Sequence, residues 1–178
     1  DRLYAKLETV NPTGSIKDRP IQFIVKEAIA SGELNSDSVI VEATSGNTGI
    51  SLSAIGASLG LSVKIVMPCN MSLERKQMMT LFGAEIIEVG PSDFDAAIDK
   101  RNQLVKEAGY WSPMQFENLL NVKCHEVVTA PEILAQCPDG EPIAAFFSGA
   151  GTGGTIMGVR RAFLIDSPET KICMVKPF

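Results

Sequence analysis

The chain is poor in the residues that build metal centres. Its 178 residues include one histidine, His125, and four cysteines, Cys69, Cys124, Cys137 and Cys173, spaced 55, 13 and 36 residues apart. No C-x-x-C pair occurs, and His125 adjoins a single cysteine, Cys124, which leaves too few clustered ligands for a zinc site. The cysteines are therefore expected as reduced structural thiols of a cytosolic (cytoplasmic) protein. His125, in a helical-looking segment, is expected to be structural as well. Runs of like charge are also missing. With Lys+Arg 16 against Asp+Glu 21 the net charge is −5, and nothing basic stands out to favour nucleic acid or an anionic membrane as a partner. The longest apolar stretches fall well short of the roughly 20 residues that span a bilayer. Internal repeats and low-complexity linkers are absent too. What remains, 45% hydrophobic and 21% charged residues, is an ordinary globular composition, long enough for one compact domain or two small ones.

Short β-branched runs alternate with longer helical periods, the pattern of βα units around parallel sheets with flanking helices, an α/β fold. Strands are expected at Leu3–Leu7, Val39–Val41, Val63–Met67, Ala84–Val89, Tyr110–Ser112, Ile143–Phe147 and Ile172–Val175. Helices are expected at Pro20–Ser31, stopped by Gly32, and at Thr48–Leu59, Ser72–Phe82, Asp93–Ala108, Asn118–Gln136 and Thr155–Phe163. The helix over 118–136 is expected to break before Pro131, because the residue before a proline disfavours the helical conformation. The chain begins almost inside the first of these strands, and Lys176-Pro177-Phe178 closes it just after the last. Terminal strands of a parallel sheet need neighbours and helical cover, so a piece of a larger polypeptide is expected, with a complete minimal domain as the alternative.

Three loops carry candidate chemistry. The first is Asn11-Pro12-Thr13-Gly14-Ser15-Ile16-Lys17-Asp18-Arg19-Pro20, a turn by its Asn-Pro and Thr-Gly pairs. It sets Lys17 just before a helix start, where burial and the positive helix end both lower a lysine pKa, as an amine that attacks carbonyls or moves protons requires. The alternative is a solvated lysine paired with Asp18. The second loop, Glu42-Ala43-Thr44-Ser45-Gly46-Asn47-Thr48-Gly49, joins a buried strand to a helix. Its hydroxyls, amide and helix-start N–H groups suit a carboxylate, although Ser, Thr and Asn also serve as plain helix caps. The third, Ser148-Gly149-Ala150-Gly151-Thr152-Gly153-Gly154-Thr155, again lies between strand and helix. Its glycines let the backbone wrap an oxyanion at a helix N-terminus. Gly149, Gly151 and Gly154 spell G-x-G-x-x-G, but no acid stands at the end of the following strand to clamp a dinucleotide ribose. A phosphate cradle fits better. A loop lysine, a carboxylate loop and a phosphate loop together suggest a phosphorylated aldehyde cofactor, pyridoxal 5′-phosphate (PLP), acting on an amino acid.

The order and spacing of these segments resemble the fold-type II (tryptophan synthase β-like) PLP enzymes, in their cysteine synthase (O-acetylserine sulfhydrylase) and cystathionine β-synthase branch. The resemblance rests on Lys6-Leu7-Glu8, Asn11-Pro12, Gly14-Ser15-Ile16-Lys17-Asp18-Arg19, Glu42 with Thr44-Ser45-Gly46-Asn47-Thr48-Gly49, Met71-Ser72-Leu73-Glu74-Arg75, Gln115-Phe116-Glu117-Asn118 and Gly151-Thr152-Gly153-Gly154-Thr155. It implies that Lys17 holds the cofactor and moves the Cα proton, and that Asn47 hydrogen-bonds the ring oxygen. Gly151, Thr152, Gly153, Gly154 and Thr155 would bind the phosphate, and Thr44, Ser45, Thr48 and Gln115 the substrate carboxylate. The implied reaction is β-replacement on an O-activated serine, forming L-cysteine from O-acetylserine and sulfide, with cystathionine synthesis or another β-substituted alanine as alternatives. A cytoplasmic homodimer, with serine acetyltransferase as a protein partner, is also implied. Residues 13–118 would form the small, mobile domain, and 1–12 with 119–178 an incomplete large cofactor-binding domain. The family continues by roughly a hundred residues more, including a serine that contacts the pyridine nitrogen, so an inactive fragment or binding remnant is a further alternative. The chain departs from the family at Leu119-Leu120-Asn121, where a proline and an asparagine are usual, and at Val175-Lys176-Pro177, where Val-Glu-Pro is usual.

Overall fold

The computed structural model describes residues 2–176, Asp139 by its backbone alone; Pro177 and Phe178 of the closing segment lie outside the described residues. The chain divides into two compact units, residues 8–114 and residues 2–7 with 115–176.

In the unit 8–114, helix α1 (Asp18–Ser31) precedes an alternation of β1 (Val39–Ala43), α2 (Asn47–Leu59), β2 (Ser62–Pro68), α3 (Leu73–Leu81), β3 (Glu85–Val89), α4 (Phe94–Leu104) and β4 (Tyr110–Trp111). All pairings in the four-stranded sheet are parallel, and the strand order is β3-β2-β1-β4. The period-2 alternation of a strand sends neighbouring residues to opposite faces. Ile40, Ile65 and Met67 accordingly join Ile21, Val25, Leu52 and Met79 on the side of α1, α2 and α3. Val41, Ala43 and Val66 join Ala97 and Leu104 of α4 on the other. Burial of one such side chain contributes about 1.5–3 kcal/mol, so two covered faces explain why β1 is an almost unbroken apolar run.

The strand order has a consequence for function. From β1 the chain steps outward to β2 and β3, and β4 then returns to the other side of β1. In open parallel sheets ligands bind beyond the carboxyl ends of the strands at such a reversal. The Thr44-Ser45-Gly46 turn leaves β1 at that point.

Asp93 caps α4, its carboxylate accepting from Ala96 N–H at 2.9 Å. The helix ends at Leu104 rather than at the expected Ala108. Lys106 and Glu107 N–H bond three residues back, to Gln103 and Leu104 carbonyls. Those tight turns lead to Gly109, whose carbonyl must accept from Val39 N–H (2.8 Å) to start β4 beside β1.

The other unit holds α5 (Leu120–Cys124), a π-helical turn (His125–Thr129), α6 (Ala130–Gln136), β5 (Ala145–Gly149), α7 (Gly154–Asp166) and β6 (Lys171–Val175). Strands β5 and β6 pair in parallel. Ala130, Val159, Ala162 and Phe163 form its buried core, with the Phe146 ring edge-on to Phe163 at 6.0 Å. Two expectations fail here. Leu3–Leu7 is not a strand: among the described residues it has no strand partner, and Leu3 is 91% exposed. A strand exists through its ladder. This segment is held instead through Lys6 Nζ, which donates to Glu132 Oε1 and Gln136 Oε1 at 2.6 Å each. Nor does the helix break before Pro131. The wide π turn immediately ahead of it relaxes the spacing in which a proline ring meets the preceding turn, and the helix runs on through α6.

Candidate active site

Lys17 ends a loop whose shape is fixed by its own side chains. The Asn11 amide donates to the Glu8 carbonyl (2.9 Å), to Glu8 Oε2 (2.6 Å) and to the Ser15 carbonyl (3.1 Å). Glu8 also takes the Arg19 Nε–H at 2.7 Å. Gly14 makes the turn at φ +79°, a conformation that glycine adopts without steric cost. Lys17 itself is the N-cap of α1, half-buried, with its backbone N–H on Ser15 Oγ. Burial pushes its pKa below the ordinary lysine value, because the neutral amine loses less on leaving water than the ammonium does. The alternative of a surface lysine paired with Asp18 is not what the structure contains. The buried Asp18 carboxylate accepts from Thr13 N–H (2.7 Å), Thr13 Oγ1 and Ser51 Oγ (2.5 Å each).

The second loop runs from β1 into α2. Its N-cap is Gly46, with no side-chain cap. The N-cap position itself is thus held by glycine and not by Ser, Thr or Asn. Thr44 Oγ1 accepts weakly from Gly46 N–H (3.4 Å), and Thr48 is buried. Asn47, exposed at the first position of α2, makes no side-chain hydrogen bond among the described residues. At the start of the loop, buried Glu42 accepts from Ala43 N–H (2.8 Å) and from Arg101 Nη1 (3.3 Å), which also donates to Ser112 Oγ. From α3, Arg75 donates to the Ser45 carbonyl at 3.4 Å.

Gln115 and the third loop belong to the other unit. The loop leaves β5 at Gly149 and enters α7 through Gly153, whose φ of +80° suits glycine alone. A Cβ at Gly149, Gly151 or Gly153 would meet nothing within 4 Å. Gly154 and Gly158 are different. A Cβ on Gly154 would reach the Asn121 amide carbon at 2.6 Å, and one on Gly158 would reach His125 Cβ at 2.6 Å. Thr152 Oγ1 accepts from Gly154 N–H (3.3 Å) and from Asn121 Nδ2 (3.0 Å). Asn121 Nδ2 also donates to the Gln115 carbonyl at 3.0 Å. Thr155 Oγ1 lies 3.3 Å from His125 Nε2, and His125 Nδ1 lies 2.9 Å from Thr129 Oγ1.

The structure thus gathers Lys17, Thr44, Ser45, Asn47 and Thr48 in the unit 8–114, and Gln115 with Gly151–Thr155 in the other. Sequence reasoning missed two residues that shape these groups. In the sequence Asp18 stands as a possible partner for Lys17 and as one residue of the Gly14–Arg19 stretch, and Asn121 as part of a departure from the family; neither position reveals its role in shaping a loop. The spacing of apolar residues on α5 could have placed Asn121 on its inner face, but nothing in the sequence names its partners. His125, expected to be structural, is buried between Thr129 and Thr155, and through Thr155 it touches the third loop. The donor set fits PLP. A half-buried amine with a lowered pKa suits an aldehyde, and a glycine turn at a helix N-terminus with two threonine hydroxyls suits a phosphate.

Among the described residues no helix is long and apolar enough to cross a membrane. Residues 1–177 match the family described as "Pyridoxal-phosphate dependent enzyme". Cysteine synthase B of Campylobacter jejuni is 48% identical over 178 residues, covering 98% of this chain and 58% of that protein. Cysteine synthase of a Flavobacterium species is 42% identical over 177 residues, covering 98% and 57%. Among solved structures, a hydrogen sulfide-producing enzyme from Fusobacterium nucleatum superposes with a TM-score of 0.94 at 40% identity, covering 99% of this chain and 54% of that one. An O-acetylserine-dependent cystathionine β-synthase from Helicobacter pylori gives 0.90 at 35% identity, covering 98% and 57%. The chain spans little more than half the length of the relatives it matches. With the fold, the loop order and the family match in agreement, this chain belongs to the pyridoxal-phosphate-dependent enzymes, among relatives of the cysteine synthase type.

Proposed function

We propose that this chain carries the PLP- and substrate-binding residues of a cysteine synthase-type enzyme, which replaces the β-substituent of an O-activated serine such as O-acetylserine with sulfide to give L-cysteine. The observation that carries this reading is identity of 40–48% to cysteine synthases over 98% of the chain, with the candidate lysine half-buried at the head of α1. When bound, PLP supplies an electron sink that labilises the bonds at the substrate Cα. Everything else is the work of side chains. Lys17, kept toward its neutral form by burial, anchors the cofactor through its amine and takes the Cα proton. Thr44, Ser45, Thr48 and Gln115 hold the substrate carboxylate, and Asn47 donates to the cofactor's ring oxygen. Gly151, Thr152, Gly153, Gly154 and Thr155 bind the phosphate, fixing the ring's orientation ahead of reaction. In this reading residues 13–118 act as the small, moving domain, and 1–12 with 119–178 as part of the large one. The enzyme works as a homodimer in the cytoplasm, with serine acetyltransferase as a protein partner.

A second reading keeps the cofactor and exchanges sulfide for a larger thiol. It is favoured by the likeness to the Helicobacter pylori O-acetylserine-dependent cystathionine β-synthase.

The test is covalent trapping. The chain is mixed with PLP, reduced with borohydride, and digested to locate the pyridoxyl group. Labelling concentrated at Lys17 and lost in Lys17→Ala supports the proposal. Labelling scattered over surface lysines, or unchanged in Lys17→Ala, overturns it.

A further inference from the structure

We propose that Asn121 is a positioning residue that sets the hydroxyl proton of Thr152 to face the phosphate. The proposal deepens the PLP reading above and rests on it.

Asn121 is 4% exposed on α5, and its Nδ2 has two protons for two acceptors, the Gln115 carbonyl and Thr152 Oγ1, each at 3.0 Å. Its orientation is not free. A carbonyl oxygen can only accept, so the amide must turn its NH2 toward Gln115. The second N–H is then committed to Thr152.

A threonine hydroxyl has two lone pairs and one proton. Both lone pairs of Thr152 Oγ1 are taken, one by Asn121 and one by Gly154 N–H at 3.3 Å. Its proton finds no acceptor among the described residues. Thr152 is thereby left as a pure donor on a glycine turn at a helix N-terminus, the polarity an anion needs. Without Asn121 a lone pair would be free, and the hydroxyl could rotate away from the anion.

Two details show that this arrangement is built rather than incidental. Asn121 Oδ1 is buried with no hydrogen-bond partner among the described residues, so the side chain keeps this place although half of its amide is unsatisfied. Gly154 makes room for it, since a Cβ there would strike the amide.

The experiment compares PLP with pyridoxal, the same aldehyde without a phosphate, by equilibrium absorbance titration of the whole chain. Asn121→Ala removes the donor without adding charge, and Thr152→Val removes the hydroxyl. Asn121→Ala is expected to weaken PLP several-fold, up to about tenfold, which is less than the whole of one hydrogen bond to a charged group because the Thr152 hydroxyl itself remains. Pyridoxal binding should change less than about twofold, since no phosphate contact is at stake. In the Thr152→Val background, Asn121→Ala should have no further effect on PLP, as expected for residues acting through one contact. Equal loss for PLP and pyridoxal, undiminished PLP binding, or a full effect persisting without the Thr152 hydroxyl each overturns the proposal. If Asn121→Ala does not fold, Asn121→Ser in the same comparison decides it by the same criteria. Failure of the wild-type chain to take PLP at Lys17 would instead overturn the functional reading beneath it, and this proposal with it.

Discussion

Asp18 Oδ1 accepts a hydrogen bond from the Ser51 hydroxyl at 2.5 Å, tying the first turn of α1 to α2. Both residues are buried. Lys17 immediately precedes Asp18, and Ser51 lies four residues, about one helical turn, beyond Asn47. One carboxylate therefore fixes the start of the helix that carries the amine against the helix that begins with the candidate ring-binding amide. Thr13, through its N–H and hydroxyl, completes the shell and holds the loop before Lys17 in the same grip.

Asp18→Ala should leave Thr13 N–H and two hydroxyls without their acceptor. The expected loss is about 2–4 kcal/mol in the unit 8–114, more than for a single neutral hydrogen bond because the acceptor is charged. Asp18→Asn preserves shape but can accept with one atom only, and should cost about half as much. Urea unfolding followed by fluorescence of Trp111, the only tryptophan, measures both. Equal stability of wild type and Asp18→Ala would show that the shell does not hold the loop.

Glu42, in β1 at the start of the second loop, forms a buried pair with Arg101 at 3.3 Å. Breaking such a pair leaves a charge in the core, which costs about 3–5 kcal/mol, whereas removing both charges costs far less. Arg101→Met and Glu42→Gln should each destabilise strongly in the same urea experiment. The double variant should be clearly more stable than the sum of the two single losses predicts. Additive losses would mean that the charges act independently.

The alternation of apolar runs and helical periods was enough to locate the sheet of the unit 8–114, because β1 and β2 are buried on both faces and read as Val-Ile-rich segments. The second and third loops were legible for a similar reason: glycine, threonine and asparagine between a strand and a helix have few uses. Local pattern failed where the answer lay elsewhere in the chain. Leu3–Leu7 has a strand composition but no ladder partner among the described residues, and its place is set by Lys6 reaching Glu132 and Gln136. Pro131 carries the usual signal for a helix break, and the π turn that absorbs it has no signature in residue type. Asn121 touches Thr152, 31 residues away, a contact that spacing along one helix cannot reveal.

Gly154→Ala tests the packing beneath the third loop. The new methyl would have to displace the buried Asn121 amide, and Thr152 would lose its partner with it. Overpacking of this kind costs about 1–3 kcal/mol. Gly151→Ala, where a Cβ meets nothing within 4 Å, should cost less than about 1 kcal/mol. Thermal melts followed by circular dichroism compare the two. The ordering Gly154→Ala below Gly151→Ala is the expected result, and the reverse would mean that the amide moves aside freely.

Lys17 should leave a pH signature on stability. Its folded pKa is lowered by burial, while in the unfolded chain it returns to about 10.5. Between those two values the unfolded state binds more protons than the folded one, so this residue makes stability rise with pH through that window. Below the folded value both states carry the charge, and the full cost of burying it is present. Above 10.5 both are neutral and the cost is gone. Lys17→Met, which keeps the length without the charge, should therefore be more stable than wild type near pH 7, and the difference should shrink as pH climbs toward 10.5. Urea midpoints measured across that range decide it. A gap between the two proteins that stays constant with pH would mean that the amine titrates normally, and Lys17 would then have no advantage over a surface lysine in attacking an aldehyde.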